Sequence, residues 1–579
     1  MKWEEQYQRW LLHKELDEDL KVELEELRGH QGFLEDAFYK SLEFGTGGMR
    51  GELGPGTNRM NKYTVRKAAK GLAQLISEKG DAAKQKGVAI SYDNRRYSKE
   101  FALESARVLG TDGIRVYVFE ELRPTPQLSF AVRKLDTAAG IMITASHNPP
   151  EYNGFKVYGE DGAQLAGADS DELLRRVNEI EDELSIDIKE VNELEEEGRL
   201  SYLGAEMDEA YEEELLDVIQ DRELVNSNGG DLSIVFTPLH GASKVPVVNS
   251  FNKAGYSKLH VVASQAEPDS SFSNVSSANP EEHVAFDLAI KEGLKTDADI
   301  LIATDPDGDR VGVAAKNKSG VYEVLNGNQT GALMLHYLLS AGKEKAILPE
   351  NGVMVQTIVT SPLGKAIAES FNIESVDVLT GFKYIAEKIR GYEKDNSKSF
   401  LFGYEESYGY LIKPFVRDKD AIQAALLASE TAMHYKQQGK TLFEALDGLY
   451  EEYGYYRETL HSFIFKGKEG TETMKNFLDT FRKSPLELND GFQLERVEDY
   501  LEETVYDKRT GTEKPTGLPK SNVLKYVMTD GSWFCLRPSG TEPKLKLYFG
   551  VKGETEEDAE NKLKVIVEPL LKKIQEHQN

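Results

Sequence analysis

Apolar positions along this chain gather into short β-rich runs separated by longer stretches with helical spacing, and the arrangement recurs in three units. In the first unit the runs are GVAISYD (87–93), IRVYVFE (114–120) and AGIMITASHN (139–148). In the second they are LSIVFTP (232–238), KLHVVAS (258–264) and ADILIATDPDGD (298–309). In the third they are GVMVQTI (352–358), ESVDVLT (374–380) and SFLFGYEES (399–407). Such alternation predicts βαβ units around a mixed or parallel sheet. Ligands of these sheets bind beyond the carboxyl ends of the strands. The polar loops closing the third runs, TASHNP, DPDGDR and GYEES, are therefore expected to face one cleft.

The pattern changes near the C-terminus. SNVLKYVMTD, SWFCL and KLKLYFGVKG read as antiparallel strands with a turn at Asp530-Gly531. The helical pattern ETEEDAENKLKVIVEPLLKKIQEH follows. The expected fold is α/β: three similar mixed-sheet α/β domains plus a C-terminal α+β domain. Boundaries are placed at 1–207, 208–322, 323–455 and 456–579. The charged stretches ELLRRVNEIEDEL and ELEEEGRL between units one and two read as solvated faces.

The length of 579 residues exceeds what one core holds. No apolar run approaches the roughly 20 residues a membrane helix needs, and the acidic N-terminus lacks the features of a signal peptide. Cys535 is the single cysteine, which excludes an internal disulfide framework and a cysteine zinc site. A cytoplasmic protein is expected. The net charge of −29 argues against nucleic acid or an anionic membrane as the main partner. An anionic ligand would need its counter-charge supplied locally.

Each loop carries distinct chemistry. In TASHNPPEYNGFK (144–156), Ser146 follows an apolar strand and stands beside His147. Its flanks, Thr144 and Asn148, are not those of a hydrolase nucleophile elbow. Pro149-Pro150 and Asn153-Gly154 stiffen the loop, and Lys156 returns to the same neighbourhood. A serine with a histidine and a lysine nearby can exchange a phosphoryl group. In ATDPDGDR (303–310), Asp305, Asp307 and Asp309 alternate, a set of hard oxygen donors suited to magnesium or calcium. An EF-hand is excluded, because its glycine and glutamate positions hold Arg310 and Lys316. Magnesium commonly shares its site with a phosphate oxygen, and Arg310 suits a phosphate. Glu405 and Ser407 stand two apart in GYEESYGY (403–410), facing the same way if extended, and can grip vicinal sugar hydroxyls. In RPSGTEPK (537–544), Arg537 offers a fork for phosphate oxygens, and Ser539, Gly540 and Thr541 can complete an anion nest; an ordinary Pro-Ser-Gly hairpin turn is the alternative reading of the loop. The chain has no P-loop and no HExxH motif, and the glycines of FGTGGMRGELGPG (44–56) do not match a dinucleotide fingerprint.

Taken in order, TASHNP, DPDGDR, GYEES and RPSGTEP resemble the four signature loops of the α-D-phosphohexomutase superfamily, and GTGGMRG and YDNRRYS resemble that family's N-terminal region. The resemblance runs from about Phe44 to Lys573. It implies four domains round a central cleft. It implies a phosphoserine at Ser146, with Mg2+ held by that phosphate and by Asp305, Asp307 and Asp309. It assigns His147 and Lys156 as acid/base candidates and places Arg50 and Arg310 near the reacting phosphoryl group. Glu405 and Ser407 would bind sugar hydroxyls, and Arg537, Ser539, Gly540 and Thr541 the distal phosphate. Lys383 and Arg417 would be further cleft residues.

Two departures from the family pattern stand out. Tyr404 replaces the usual glycine and is expected to narrow the cleft, and Gly47 replaces a commoner serine. The implied activity interconverts hexose 1-phosphate and hexose 6-phosphate through a hexose 1,6-bisphosphate intermediate, with glucose phosphates as the first expectation and mannose or pentose phosphates as alternatives. A phosphoserine phosphatase and a non-catalytic sugar-phosphate sensor are the rival readings. The expected partners are small sugar phosphates, and the expected state is a monomer or weak homodimer.

Overall fold

The computed structural model describes residues 2–45, 47–465, 467–483, 492–538 and 544–578. All nine anticipated runs form strands. In the first unit Val88–Tyr92 lies between Val116–Phe119 and Ala139–Ile143, parallel to both. In the second, Ile234–Thr237 lies between Leu259–Val261 and Ile300–Thr304. In the third, Gly352–Thr357 lies between Glu374–Val378 and Ser399–Glu405. The central strands are buried along their whole length, as expected for parallel strands covered on both faces.

Each unit also adds an antiparallel fourth strand: Tyr152–Gly159, Val311–Lys316 and Gly409–Leu411 respectively. Each chemistry-bearing loop is thus the connection of a hairpin at the carboxyl edge of its sheet. The first sheet is widened by Phe44–Gly45 and Gly48–Glu52 on one side and by Leu200–Leu203 on the other. That last strand begins in the segment read from sequence as a solvated charge run. It sits at the sheet edge with its two middle residues exposed, so its apolar signal is weak.

One continuous core runs through the three units, joining Met142, Phe236, Ile302, Val355 and Phe402. The helix Ala421–Gln437 lies inside it, buried on nearly every side. Three N-terminal helices, Trp3–Leu12, Glu18–Glu26 and Gln31–Phe38, form a small separate cluster with Tyr63. Among the described residues no helix is long and apolar enough to cross a membrane.

The C-terminal part is an antiparallel sheet with its own core, in which Phe477, Phe534, Phe549, Ile566 and Leu570 pack together. The expected strands are Leu524–Met528, Trp533–Pro538 and Lys544–Gly553. Tyr455–Ile464 and the strands Leu494–Asp499, Thr504–Asp507 and Thr512–Pro515 extend them on either side. An apolar seam joins this sheet to the third unit, where Ile358, Val359 and Leu379 meet Trp533, Cys535 and Tyr548, and Tyr456 at the start of Tyr455–Ile464 reaches into the shared core. Lys525 Nζ crosses it to donate to the Ile358 carbonyl at 2.6 Å.

Separate cores predict separable unfolding. Leu427→Ala, inside the shared core, should cost roughly 2–5 kcal/mol and lower one calorimetric transition. Phe534→Ala should lower a different one. Equal displacement of a single transition by both variants would contradict the division.

Candidate active site

Ser146 occupies the hairpin between Ala139–Ile143 and Tyr152–Gly159 with φ of 52°, a left-handed conformation that costs a non-glycine residue roughly 1–2 kcal/mol. The residue is buried. Its Oγ donates to Asp305 Oδ2 at 2.7 Å and lies 3.1 Å from His147 Nδ1. The serine–histidine loop of the first unit and the aspartate loop of the second therefore meet.

Asp305, Asp307 and Asp309 are all buried, with one donor atom from each lying within 4.8 Å of the others. Gly308 makes the tight loop possible. Its φ is +66°, and a Cβ there would meet Pro124 at 2.7 Å. Asp305 Oδ1 accepts the backbone N–H groups of Asp309 and Arg310 at 3.1 and 3.0 Å. Asp307 Oδ2 accepts from Lys156 Nζ at 2.7 Å and from Thr125 Oγ1 at 3.2 Å. Asp309 Oδ2 faces Lys419 Nζ at 3.0 Å and Lys156 Nζ at 3.5 Å. The second oxygens, Asp307 Oδ1 and Asp309 Oδ1, are buried without a hydrogen-bond partner. Buried carboxylate oxygens are normally satisfied. Two orphaned ones in a triple-aspartate pocket fit a hard divalent cation, so this cluster can hold a metal.

Charge dominates the local acid–base balance. Burial, reinforced by Asp307 and Asp309, pushes Asp305 well above the ordinary carboxylate range. For Asp307, burial acts upward but Lys156 and the Asp305 hydrogen bond outweigh it, and its carboxyl is held low. Burial, with Arg310 and Arg50 close by, holds His147 well below its ordinary value, so the imidazole is neutral. Lys156 is moved upward despite burial, because Asp307 and Asp309 face it.

The hairpin loops open onto a cleft of about 770 Å³ whose lining includes His147, Arg310, Lys383, Glu405, Ser407 and Arg537. Glu405 Oε1 accepts the Gly381 N–H at 2.8 Å. Arg310 is held by Glu281, which also lines the cleft. Arg50, on Gly48–Glu52, reaches the serine loop by donating to Asn148 Oδ1 at 2.7 Å. Lys383 is lowered by burial and by nearby Arg537, so the third unit and the C-terminal sheet meet at this wall. Ser539, Gly540 and Thr541 lie outside the described residues.

Two expectations change. Tyr404 does not narrow the cleft. It is fully buried, stacked with Tyr410 and packed against Gly331, because strand alternation sends it to the face opposite Glu405. Arg417 does not line the cleft either. Its side chain is buried on Glu393 and the Pro414 and Val416 carbonyls, and Lys419, two residues on, takes the cleft position. At Gly47, φ is +85° and a Cβ would come within 2.5 Å of the Leu165 carbonyl, so glycine suits the backbone there.

Sequence reasoning also passed over Lys544 and Lys546, which line the cleft beside Arg537. Lys546 is the direct strand partner of Arg537, and the alternation in KLKLYF is the signal that marks it.

Comparison with known proteins agrees with this geometry. Family models for phosphoglucomutase/phosphomannomutase match in order: alpha/beta/alpha domain I at residues 41–184, domain II at 209–320, domain III at 326–453 and the C-terminal domain at 486–567. A phosphoglucomutase of Staphylococcus aureus (strain bovine RF122 / ET3-1) is 41% identical over 536 residues, covering 92% of this chain and 93% of its own. Among solved structures, the Paramecium exocytosis-sensitive phosphoprotein parafusin, a phosphoglucomutase in an open form, shares the fold with a TM-score of 0.67 at 18% identity, covering 91% of this chain and 95% of its own. An Aspergillus fumigatus N-acetylphosphoglucosamine mutase, in complex with GlcNAc-6P and magnesium, aligns with a TM-score of 0.51 at 14% identity, covering 93% and 96%. The chain belongs to the phosphoglucomutase/phosphomannomutase family, within the α-D-phosphohexomutases, and is an isomerase of that class.

Proposed function

We propose that this enzyme interconverts hexose 1-phosphate and hexose 6-phosphate, glucose phosphates first among them, with Ser146 as the phosphate carrier and a hexose 1,6-bisphosphate as intermediate. The observation that carries the reading is the position of Ser146 Oγ, shared between Asp305 and the cleft-lining His147. The Staphylococcus aureus relatives named phosphoglucomutase support the glucose assignment. Mannose and pentose phosphates remain the alternatives.

Asp305, Asp307 and Asp309, with the phosphate on Ser146, would hold Mg2+, in keeping with the orphaned oxygens of Asp307 and Asp309. When bound, the ion supplies positive charge that offsets the anionic phosphoryl group. The protein's own groups position the reactants. Glu405 and Ser407 take adjacent sugar hydroxyls. Arg537, with Lys544 and Lys546 and the loop of Ser539, Gly540 and Thr541, takes the phosphate already on the sugar. Arg310 and Arg50 face the reacting end.

In the first transfer the bond from Ser146 Oγ to phosphorus breaks as a bond from the sugar hydroxyl oxygen to phosphorus forms. The hydroxyl proton ends on Ser146 Oγ, and His147 is the neutral group within 3.1 Å of that oxygen. Lys156 stays on Asp307 and Asp309 as a neutralising cation. The bisphosphate then turns within the cleft and the same step runs backward on its other phosphate. A grip on two neighbouring hydroxyls tolerates that reversal. A monomer or weak homodimer is the proposed working form.

Intact-mass analysis should find about one phosphate per chain, as a covalent intermediate requires, lost in Ser146→Ala together with mutase activity. Asp307→Asn should lower kcat by about 100-fold or more and weaken the rise in Tm that Mg2+ gives the wild-type protein. An unchanged kcat and an unchanged magnesium response would remove the metal assignment. Glucose 1-phosphate, mannose 1-phosphate and ribose 1-phosphate, each with a trace of its bisphosphate, rank the substrates. Equal rates with ribose 1-phosphate would overturn the hexose preference. Steady release of inorganic phosphate at the mutase rate would favour the phosphatase reading.

A further inference from the structure

The loop bearing Ser146 carries an unusual burden of inward carbonyls. Asn148 and Pro149 each precede a proline, so their peptide groups have a carbonyl but no N–H to enter a ladder. One side chain collects these acceptors. Arg95 donates through Nη2 to the Ser146 carbonyl at 2.6 Å and to the Asn148 carbonyl, and through Nη1 to the Pro149 and Tyr152 carbonyls at 2.7 and 3.0 Å. Its Nε faces Asp93 at 3.3 Å, and neither side chain has any exposure. Asp93 is itself fixed, accepting from the Arg95 N–H at 2.9 Å and Ser98 Oγ at 2.7 Å.

Arg95 also bridges two units. The Phe272 ring of the second unit covers its guanidinium, with the guanidinium carbon 5.2 Å from the ring centre. Beside it, Asn94 Nδ2 donates to the Asp269 carbonyl at 2.9 Å. Phe272 thereby shields the carbonyl bonds from water on the side of the unit that supplies the aspartate loop.

We infer that Arg95 is a positioning residue for phosphoryl transfer: it holds Ser146 in its left-handed conformation and aims its oxygen at Asp305, with Phe272 as the cover that keeps this arrangement dry. The peptide joining Ser146 to His147 is planar and trans. With the Ser146 carbonyl turned onto Arg95, the His147 N–H points the opposite way, away from the guanidinium. The arginine is not among the residues lining the cleft; its hydrogen bonds go to the loop carbonyls, and its charge is also felt at His147 and the aspartates. A fork of planar donors is needed to reach four carbonyls, and a lysine cannot replace it.

This inference rests on Ser146 as the carrier, and the experiment separates the two. Ser146→Ala, Arg95→Lys and Phe272→Leu are assayed in the full-length enzyme with glucose 1-phosphate, trace glucose 1,6-bisphosphate and Mg2+, alongside Tm and inorganic phosphate release. A displaced reacting oxygen should lower kcat in Arg95→Lys by about 100-fold with KM within about twofold, and Phe272→Leu should lose about fivefold in kcat by the same mechanism. In both, phosphate leaked to water per turnover should rise, because the carried phosphate no longer meets the sugar hydroxyl squarely. Wild-type kcat in a folded Arg95→Lys enzyme overturns the inference. If that variant fails to fold, wild-type kcat and leakage in Phe272→Leu overturn it instead. A fall in the active fraction with unchanged kcat per folded enzyme and unchanged leakage also overturns it, since that is what a purely structural arginine would give. Full activity in Ser146→Ala removes the carrier assignment itself, whatever Arg95 does.

Discussion

Three carboxylates packed within 4.8 Å and cut off from water repel one another strongly. Their presence in a folded protein demands compensating charge from close range. The compensation does not come from their own unit alone. Lys156 arrives on the fourth strand of the first sheet, Lys419 follows the fourth strand of the third, and Thr125 adds a hydroxyl from the first. The loop is also tied by backbone bonds, from the Thr125 N–H to the Asp307 carbonyl at 2.8 Å and from the Ala421 N–H to the Gly308 carbonyl at 3.2 Å. The charge problem at one hairpin is therefore solved only when three units stand in register, and the shared hydrophobic core is what holds them there. Ser146 is drawn into the same arrangement, because its hydroxyl is one of the few neutral donors able to approach Asp305.

The parts of this design that were legible in the sequence share a physical character. The central strand of each unit is a short apolar run because both faces of its sheet are covered there, and the loops that follow the third runs interrupt the apolar pattern with charge. Ser146, the three aspartates and Glu405 stood out because each lies where a buried strand ends. The less legible parts are half-exposed or answer to tertiary contacts. Leu494–Asp499 has the sequence LERVED and is only partly buried throughout, so it carries little apolar pattern. Arg95 lies in YDNRRYS, which the sequence ties to the rest only through the family resemblance, and its burial depends on carbonyls more than fifty residues away in the chain. In FVRDKD the charged side chains turn to different surroundings, and nothing local distinguishes Arg417, which goes inward, from Lys419, which reaches the cleft.

The choice between His147 and Lys156 shows how structure divides roles that sequence left together. His147 stands beside Ser146, and Lys156 stands against the aspartate loop; their surroundings are opposite. His147 lies beside Arg310 and Arg50, which discourage a further positive charge. Lys156 lies against two aspartates, which insist on one. Two basic side chains on one hairpin are thereby made into a neutral hydrogen-bonding group and a fixed cation.

The separate core of the C-terminal sheet has an evolutionary consequence. Arg537, Lys544 and Lys546 sit on a body that meets the rest of the chain across an apolar seam, whereas the aspartates and Ser146 are embedded in a core common to three units. Under the roles proposed above, substitutions that reshape recognition of the far end of a ligand can fall on the last sheet with little strain on the aspartates and Ser146. On that proposal, what the protein accepts can change while the transfer chemistry stays constant.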